Sequence, residues 1–188
     1  MAGPKTTLGY VLSLSMAENV FMGGAMVTDA HALPIEFRYT EPVRATKLQR
    51  VLYGDVLEKY IQCDVIAGNL VGRLEQKPDL LIVSDANLLP ALDNGKFKVV
   101  MISPTRTHPL KEYGAQQDIS DIEFHLQLTD SGGPVRVRMG AVGDAVKKTE
   151  IARILSECGR TMDLLEPIER VETAVRMLWD EAPESPPA

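Results

Sequence analysis

Cysteine is nearly missing from this chain, which holds only Cys63 and Cys158 in 188 residues. They lie far apart and show no metal-ligand spacing, so no disulfide framework is implied and a reduced, cytosolic protein is the simplest expectation. Long apolar runs are missing as well. No window approaches the roughly 18 to 20 consecutive apolar residues that a membrane-spanning helix needs. The opening MAGPKTTLGYVLSLSMA makes a poor signal peptide, because Ser13 and Ser15 interrupt its apolar part and it runs straight into Glu18. No membrane partner is expected.

Positive charge is also short. Twenty Lys and Arg stand against 26 Asp and Glu, a net charge of −6, which argues against holding nucleic acid by bulk electrostatics. The one local basic cluster, Arg38, Arg44, Lys47 and Arg50, is mixed with Glu36, Glu41 and Asp55 and reads as a solvated surface. If nucleic acid binds at all, it binds through Arg38 to Arg50. Histidine offers only His31, His108 and His125, with no HxH or HExxH form, so no metal site is expected. Gly140-Ala-Val-Gly143 lacks the third glycine of a dinucleotide loop and reads as a connector, and no cofactor is expected.

What the chain does carry is a period-two pattern and several amphipathic helices. Phe21 to Glu41 reads as a hairpin around which the rest is organised: Ile35, Phe37 and Tyr39 form one face, Glu36, Arg38 and Thr40 the other. Leu8–Ser15 and Gly24–Thr28 are the first two strands, and Gly23-Gly24 suggests a bulge or a close backbone approach. Thr46 and Gln49 have the capping-box form and open a helix with Leu48, Val51 and Leu52 on one face. Gly54 kinks it and Asp55 restarts it to about Gln76, with Gly68 and Gly72 as points of tight packing.

The continuous apolar run between Asp79 and Asp85 reads as a strand buried on both faces, and Phe97 to Ile102 as another. Whether these two run parallel is open. Ser103 to Asp118 reads as a long loop. Asp121 to Leu128 and Val135 to Met139 form a second hairpin, with Ile122, Phe124, Leu126 and Leu128 inward and Glu123, His125 and Gln127 outward. In it Glu123 faces Arg136 or Arg138. Asp144 caps a helix bearing Ile151, Ile154, Leu155 and Cys158. Pro167 opens a last helix bearing Ile168, Val171, Val175, Leu178 and Trp179, whose stripe docks on the sheet or on a partner.

The segments around Val27-Thr-Asp29, Pro34-Ile-Glu-Phe37, Pro42-Val-Arg44 and Leu52-Tyr-Gly54 resemble a set of uncharacterised bacterial proteins over roughly residues 23 to 70. The resemblance implies a bacterial origin and a shared hairpin-plus-helix unit, and brings no activity with it.

The expected architecture is one α+β domain over residues 1 to 182: a mixed sheet of about seven strands, one long kinked helix and two C-terminal helices. A disordered tail covers 183 to 188. Catalytic groupings are absent while amphipathic faces are plentiful, so the leading expectation is a non-catalytic subunit acting through protein contacts in a larger assembly or homo-oligomer, with Arg38, Arg44, Arg50 and Trp179 as binding residues. The alternative is a small hydrolase or nucleotide-responsive domain. Its site would be the rim at the carboxyl ends of the sheet strands, where Asp85, Arg106 and His108 would meet if the two apolar strands are parallel.

Overall fold

Leu8, Tyr10 and Leu12 point to one side of strand β1 (Thr7–Ala17) and Val11 to the other, and none is more than 1% exposed. A strand shielded on both faces belongs at the centre of a sheet. In the computed structural model, which describes residues 6–93, 95–130, 132–140 and 145–182, β1 pairs antiparallel with β2 (Val20–Asp29) and parallel with β5 (Leu80–Val83). Beyond β2 lies the edge strand β3 (Pro34–Tyr39), and the two-residue β4 (Val43–Arg44) pairs with the start of β2. On the other side β6 (Val99–Pro104) runs parallel to β5. It is followed by β9 (Val135–Met139), β8 (Glu123–Leu126) and β7 (Gln116–Ser120), all in antiparallel pairs. The α+β class and the mixed sheet are as the sequence pattern implies, with nine strands where about seven were expected.

The two extra strands are β4 and β7, and both lack an apolar pattern. Every residue of β7 is exposed, so the segment reads as loop although its backbone is paired. The first hairpin is likewise not the centre of the fold but its edge.

One face of the sheet is covered by a helical run from 47 to 72. It consists of α1 (Lys47–Tyr53), a 3-10 turn at Gly54–Val56, α2 (Leu57–Tyr60), a π-helical stretch at Ile61–Gly68 and α3 (Asn69–Gly72). Thr46 and Gln49 form the capping box through reciprocal bonds of 3.1 and 2.9 Å. Gly54, at φ +56°, makes the kink, a backbone state that glycine adopts without steric cost. Leu57, Ile61, Ile66 and Leu70 join Val11, Phe21 and Ala25 in a core that also takes in the short α4 (Leu88–Leu92). The expected apolar face at Leu48, Val51 and Leu52 does not reach this core: they are 67%, 81% and 70% exposed, and α1 buries no residue at all. The run also stops at Gly72, short of Gln76.

Glycine positions explain how closely the helix approaches. A Cβ on Gly23 would collide with Ile66, and one on Gly24 would lie 2.7 Å from Val175 on the opposite face. Gly23-Gly24 is thus a close approach from both sides rather than a bulge; the β2 irregularity falls at Val27/Thr28 instead. Gly72 has nothing within 4 Å of where a Cβ would be, so it is not the packing point its spacing suggests.

The other face carries α5 (Ala145–Gly159) and α6 (Glu166–Glu181), whose Ile151, Ile154, Leu155, Cys158, Val171 and Val175 are buried against Leu8, Tyr10 and Leu12. Burying each such aliphatic side chain stabilises by about 1.5–3 kcal/mol. Trp179 packs partly buried on this core. The expected cap at Asp144 and the tail at 183 to 188 lie outside the described residues.

His125 and Gln127 are 5% and 2% exposed, against the expectation that they face outward. The segment after β6 folds back over Gln127. The Gln127 side chain accepts from the Leu110 amide at 2.9 Å and donates to the Thr129 and Gly132 carbonyls at 2.7 and 3.1 Å. Gln127 thus satisfies the backbone of the loops that cover it, whereas the His125 Nε2 is shielded with no hydrogen-bond partner. Glu123 pairs with Arg136 at 3.3 Å, as the alternation implies.

Candidate functional site

β1, β5 and β6 are parallel, and their register aligns Val11 with Val83 and Val83 with Met101. Two residues further along the chain stand Ser13, still within β1, Asp85, just past the end of β5, and Ser103, within β6, so one carboxylate and two hydroxyls follow the aligned positions at the carboxyl-end rim. Ser13 keeps its hydroxyl shielded with no hydrogen-bond partner. Asp85 is exposed, and its Oδ1 accepts from the Asn87 amide at 2.6 Å, fixing the turn that leads into α4.

The helical run closes one side of this rim. The Cys63 thiol donates to the Asn87 carbonyl at 3.4 Å, bringing the π-helical stretch against the turn that starts at Asp85. Burial pushes the Cys63 thiol up, Asp64 and Asp85 add to the rise, and Lys59 opposes it. Such a thiol stays protonated at neutral pH and serves as a small core group rather than a nucleophile.

Outside Cys63 a groove of about 500 Å³ runs between the helical run and α4, lined by Tyr53, Val56, Lys59, Tyr60, Asn87 and Pro90 among others. Tyr53 and Tyr60 stack on one another with ring centroids 5.3 Å apart and planes at 23°, and each is 42% exposed. The groove therefore combines flat aromatic surface, the ammonium of Lys59 and the carboxylate of Asp64, and reaches at Asn87 the turn that starts at Asp85. The exposed Leu48, Val51 and Leu52 of α1 lie just beyond it in sequence. No period-based signal marks this site, because Tyr53 and Tyr60 are seven apart across a kink and look like core positions.

Arg106 and His108 are exposed on the segment after β6. That segment is anchored toward β9 and β8, with Thr105 donating to the Pro134 carbonyl at 2.6 Å. Among the described residues no hydrogen bond or ion pair joins either of them to Asp85, which sits past β5, two strands away from β9.

The arginine cluster is spread out. Arg38 stands opposite Ala25 and Arg44 opposite Val20 on β2, about 17 Å apart at a strand's rise per residue. Arg38 is bound to Glu36 and Glu75 at 2.6 and 2.7 Å. Arg50 lines a separate hollow of about 310 Å³ with Asp55 and Glu58.

A further cleft of about 540 Å³ opens at the opposite end of the parallel strands. It holds Lys77, Lys96, Lys98 and Lys147 together with Asp79 and Asp93. Its charges serve the fold: Lys147 pairs with Asp93 and Lys98 with Glu150, both at 3.1 Å, and Asp79 accepts from the Thr7 amide at 2.9 Å. Among the described residues no group of three or more His, Cys, Asp or Glu side chains converges to hold a metal ion, and no helix is long and apolar enough to cross a membrane.

No protein-family model and no curated protein matches the sequence. Solved structures do match in three dimensions. The Endonuclease V of Streptomyces avermitilis superposes with a TM-score of 0.64 at 14% identity, over 96% of this chain and 84% of that one. The fold resembles that of endonuclease V. The Ciona intestinalis Endonuclease V, solved with a 23mer DNA containing an inosine followed by a ribo-adenosine, gives 0.54 at 10% identity over 94% and 86%. The Argonaute of Aquifex aeolicus gives 0.51 at 11% identity, over 98% of this chain but 30% of that one.

These likenesses correct two expectations. The reading of a non-catalytic subunit acting through protein contacts is overturned, because the solved structures that share this fold are nucleases, which fits the alternative of a small hydrolase or nucleotide-responsive domain better. The argument against nucleic acid as a partner falls with it. Both rested on composition and on missing motifs, whereas the resemblance to endonuclease V is carried by strand order and connectivity at 14% identity or less.

Proposed function

We propose that this chain is a small hydrolase directed at nucleic acid, which engages single-stranded segments across the carboxyl-end rim of its sheet. The observation that carries the reading is the juxtaposition of the stacked Tyr53 and Tyr60 with the turn at Asp85, on a fold that resembles endonuclease V over 96% of its length. Bases stack on exposed aromatic faces whatever their sequence, at about 1–3 kcal/mol each. Lys59 meets the backbone phosphates, and Asp85, the carboxylate at the rim, is the group placed to orient and deprotonate an attacking water.

The described residues do not fit a two-metal phosphodiesterase centre, because such a centre needs several carboxylates and the rim offers Ser13 and Ser103 beside Asp85. With a net charge of −6, little of the affinity comes from the chain's overall field. Salt dependence is then weak, at a slope of about −0.7 per phosphate contacted on a single strand.

The test uses the full chain with fluorescently labelled single-stranded DNA and RNA, read by anisotropy for binding and by denaturing gel for cleavage. Expected are binding that weakens about 5- to 150-fold in Tyr60→Ala and cleavage that disappears in Asp85→Asn with binding intact. Absence of binding to either strand type at low salt overturns the nucleic-acid reading. Binding without cleavage overturns the hydrolase.

A further inference from the structure

β3 is the outer strand of the sheet, with β2 on one side and, among the described residues, no strand on the other. Thr40 donates its amide to the Gly23 carbonyl at 3.0 Å, next to the pair Gly24↔Tyr39. In an antiparallel ladder the bonded positions alternate, so Arg38 and Glu36 turn their backbone groups toward β2. Phe37 and Tyr39 turn theirs away, along the open edge, and Ile35 lies at the register shift between the pairs Val27↔Glu36 and Thr28↔Pro34. The same three residues carry exposed apolar side chains, at 46%, 38% and 48%, and Leu33 beside them is 62% exposed. Phe37 and Tyr39 stack at 6.0 Å. The strand carries Pro34, Glu36 and Arg38 and one register shift near its start, but the face formed by Ile35, Phe37 and Tyr39 bears no charge, so the protection that ordinarily blunts a sheet edge is only partial here.

We infer that this edge is a self-association surface, on which two copies of the chain pair their β3 strands antiparallel about a two-fold axis through Phe37. The register follows from the charges. Pairing must match outward-turned residues with one another, which any register centred on a residue from Ile35 to Tyr39 does; centring on Ile35 or Tyr39 leaves most of the strand unpaired, so the registers to compare are those centred on Glu36, Phe37 or Arg38. Centring on Glu36 sets two carboxylates face to face, and centring on Arg38 sets two guanidinium groups face to face. Centring on Phe37 places Glu36 opposite Arg38 of the second copy and Ile35 opposite Tyr39, so that both the charged and the apolar faces complement themselves. Arg38 already bridges Glu36 and Glu75 within one chain at 2.6 and 2.7 Å, so the carboxylates and guanidinium groups of the two copies would form one alternating row. The inference is independent of the reading of the rim, which lies at the strand ends.

Sedimentation velocity of the full chain gives the mass, and engineered thiols give the register. A bonded antiparallel pair has Cα atoms about 5.5 Å apart, within disulfide reach, and the native Cys63 and Cys158 are both buried. Phe37→Cys is expected to cross-link to itself under mild oxidation. Ile35→Cys and Tyr39→Cys alone are not, while a mixture of the two cross-links. Arg38→Glu is expected to raise the dimer dissociation constant at least several-fold. Should Phe37→Cys misfold by circular dichroism, the Ile35→Cys and Tyr39→Cys mixture reads the same register. A monomer at every concentration reached, or self-cross-linking of Ile35→Cys as fast as that of Phe37→Cys, overturns the proposal.

Discussion

Ile66 fills the space over Gly23 that any other residue's Cβ would need. The contact joins the π-helical stretch to β2, so the helix that carries the groove is set at its height above the sheet by a missing side chain.

Gly23→Ala is therefore expected to destabilise the fold by about 1–3 kcal/mol, the usual cost of overpacking a filled core. Ile66→Ala, which leaves a cavity when made alone, should cost less in the Gly23→Ala background than in the wild type. Urea unfolding of the two single variants and the double variant measures the coupling, and simple additivity would mean that the two residues do not interact.

Gln127→Leu keeps the volume of its buried site but strands three backbone groups: the Leu110 amide and the Thr129 and Gly132 carbonyls. Each unsatisfied group costs about 1–3 kcal/mol. Accelerated amide exchange confined to residues near 105 to 115 and 127 to 133 is the expected signature, alongside a lower unfolding midpoint.

Both thiols should be inert in the folded protein. Burial, helped by the charges of Glu157, Asp79 and Asp29, pushes Cys158 up to about 11, and Cys63 is raised as well. Ellman's reagent near pH 8 is expected to titrate neither cysteine until denaturant is added, and then both. Rapid native-state labelling of Cys63 would show that the groove opens to its base.

Glu36 supplies a pH-dependent tie between the sheet edge and the end of the helical run. Burial works against its charge, but hydrogen bonds from the Gln76 amide, Arg38 and the Glu75 amide hold its carboxyl below the usual range. A depressed carboxyl stabilises the fold above its unfolded value, and the contribution is lost as pH falls through the folded value. The stability gap between wild type and Glu36→Gln should thus be full at neutral pH and close below about pH 4, as followed by thermal unfolding across that range.

Much of the architecture was legible in the chain. The period-two and continuous apolar runs marked seven of the strands, because burial on one or both faces leaves a direct record in residue type. Thr46, Gly54 and Pro167 marked helix starts and a kink through local backbone chemistry. What escaped notice lacked such a record. β7 is paired but wholly exposed, and the side of the strand that bears His125 and Gln127 is buried rather than open to solvent, although the alternation with Phe124 and Leu126 is as expected. Tyr53 and Tyr60 meet only because a glycine turn intervenes. The parallel course of β5 and β6, which brings Ser13, Asp85 and Ser103 to one rim, is a matter of topology and leaves no trace in either strand.

One consequence concerns how the groove can change over time. Seven residues from Lys47 to Tyr53 form a helix with none of its side chains in the interior, held between β4 at one end and a glycine with φ +56° at the other. Substitutions there, Tyr53 included, alter what the groove offers a guest while leaving the packing of the sheet untouched. Preference for one ligand over another can thus drift in this segment without threatening the integrity of the molecule.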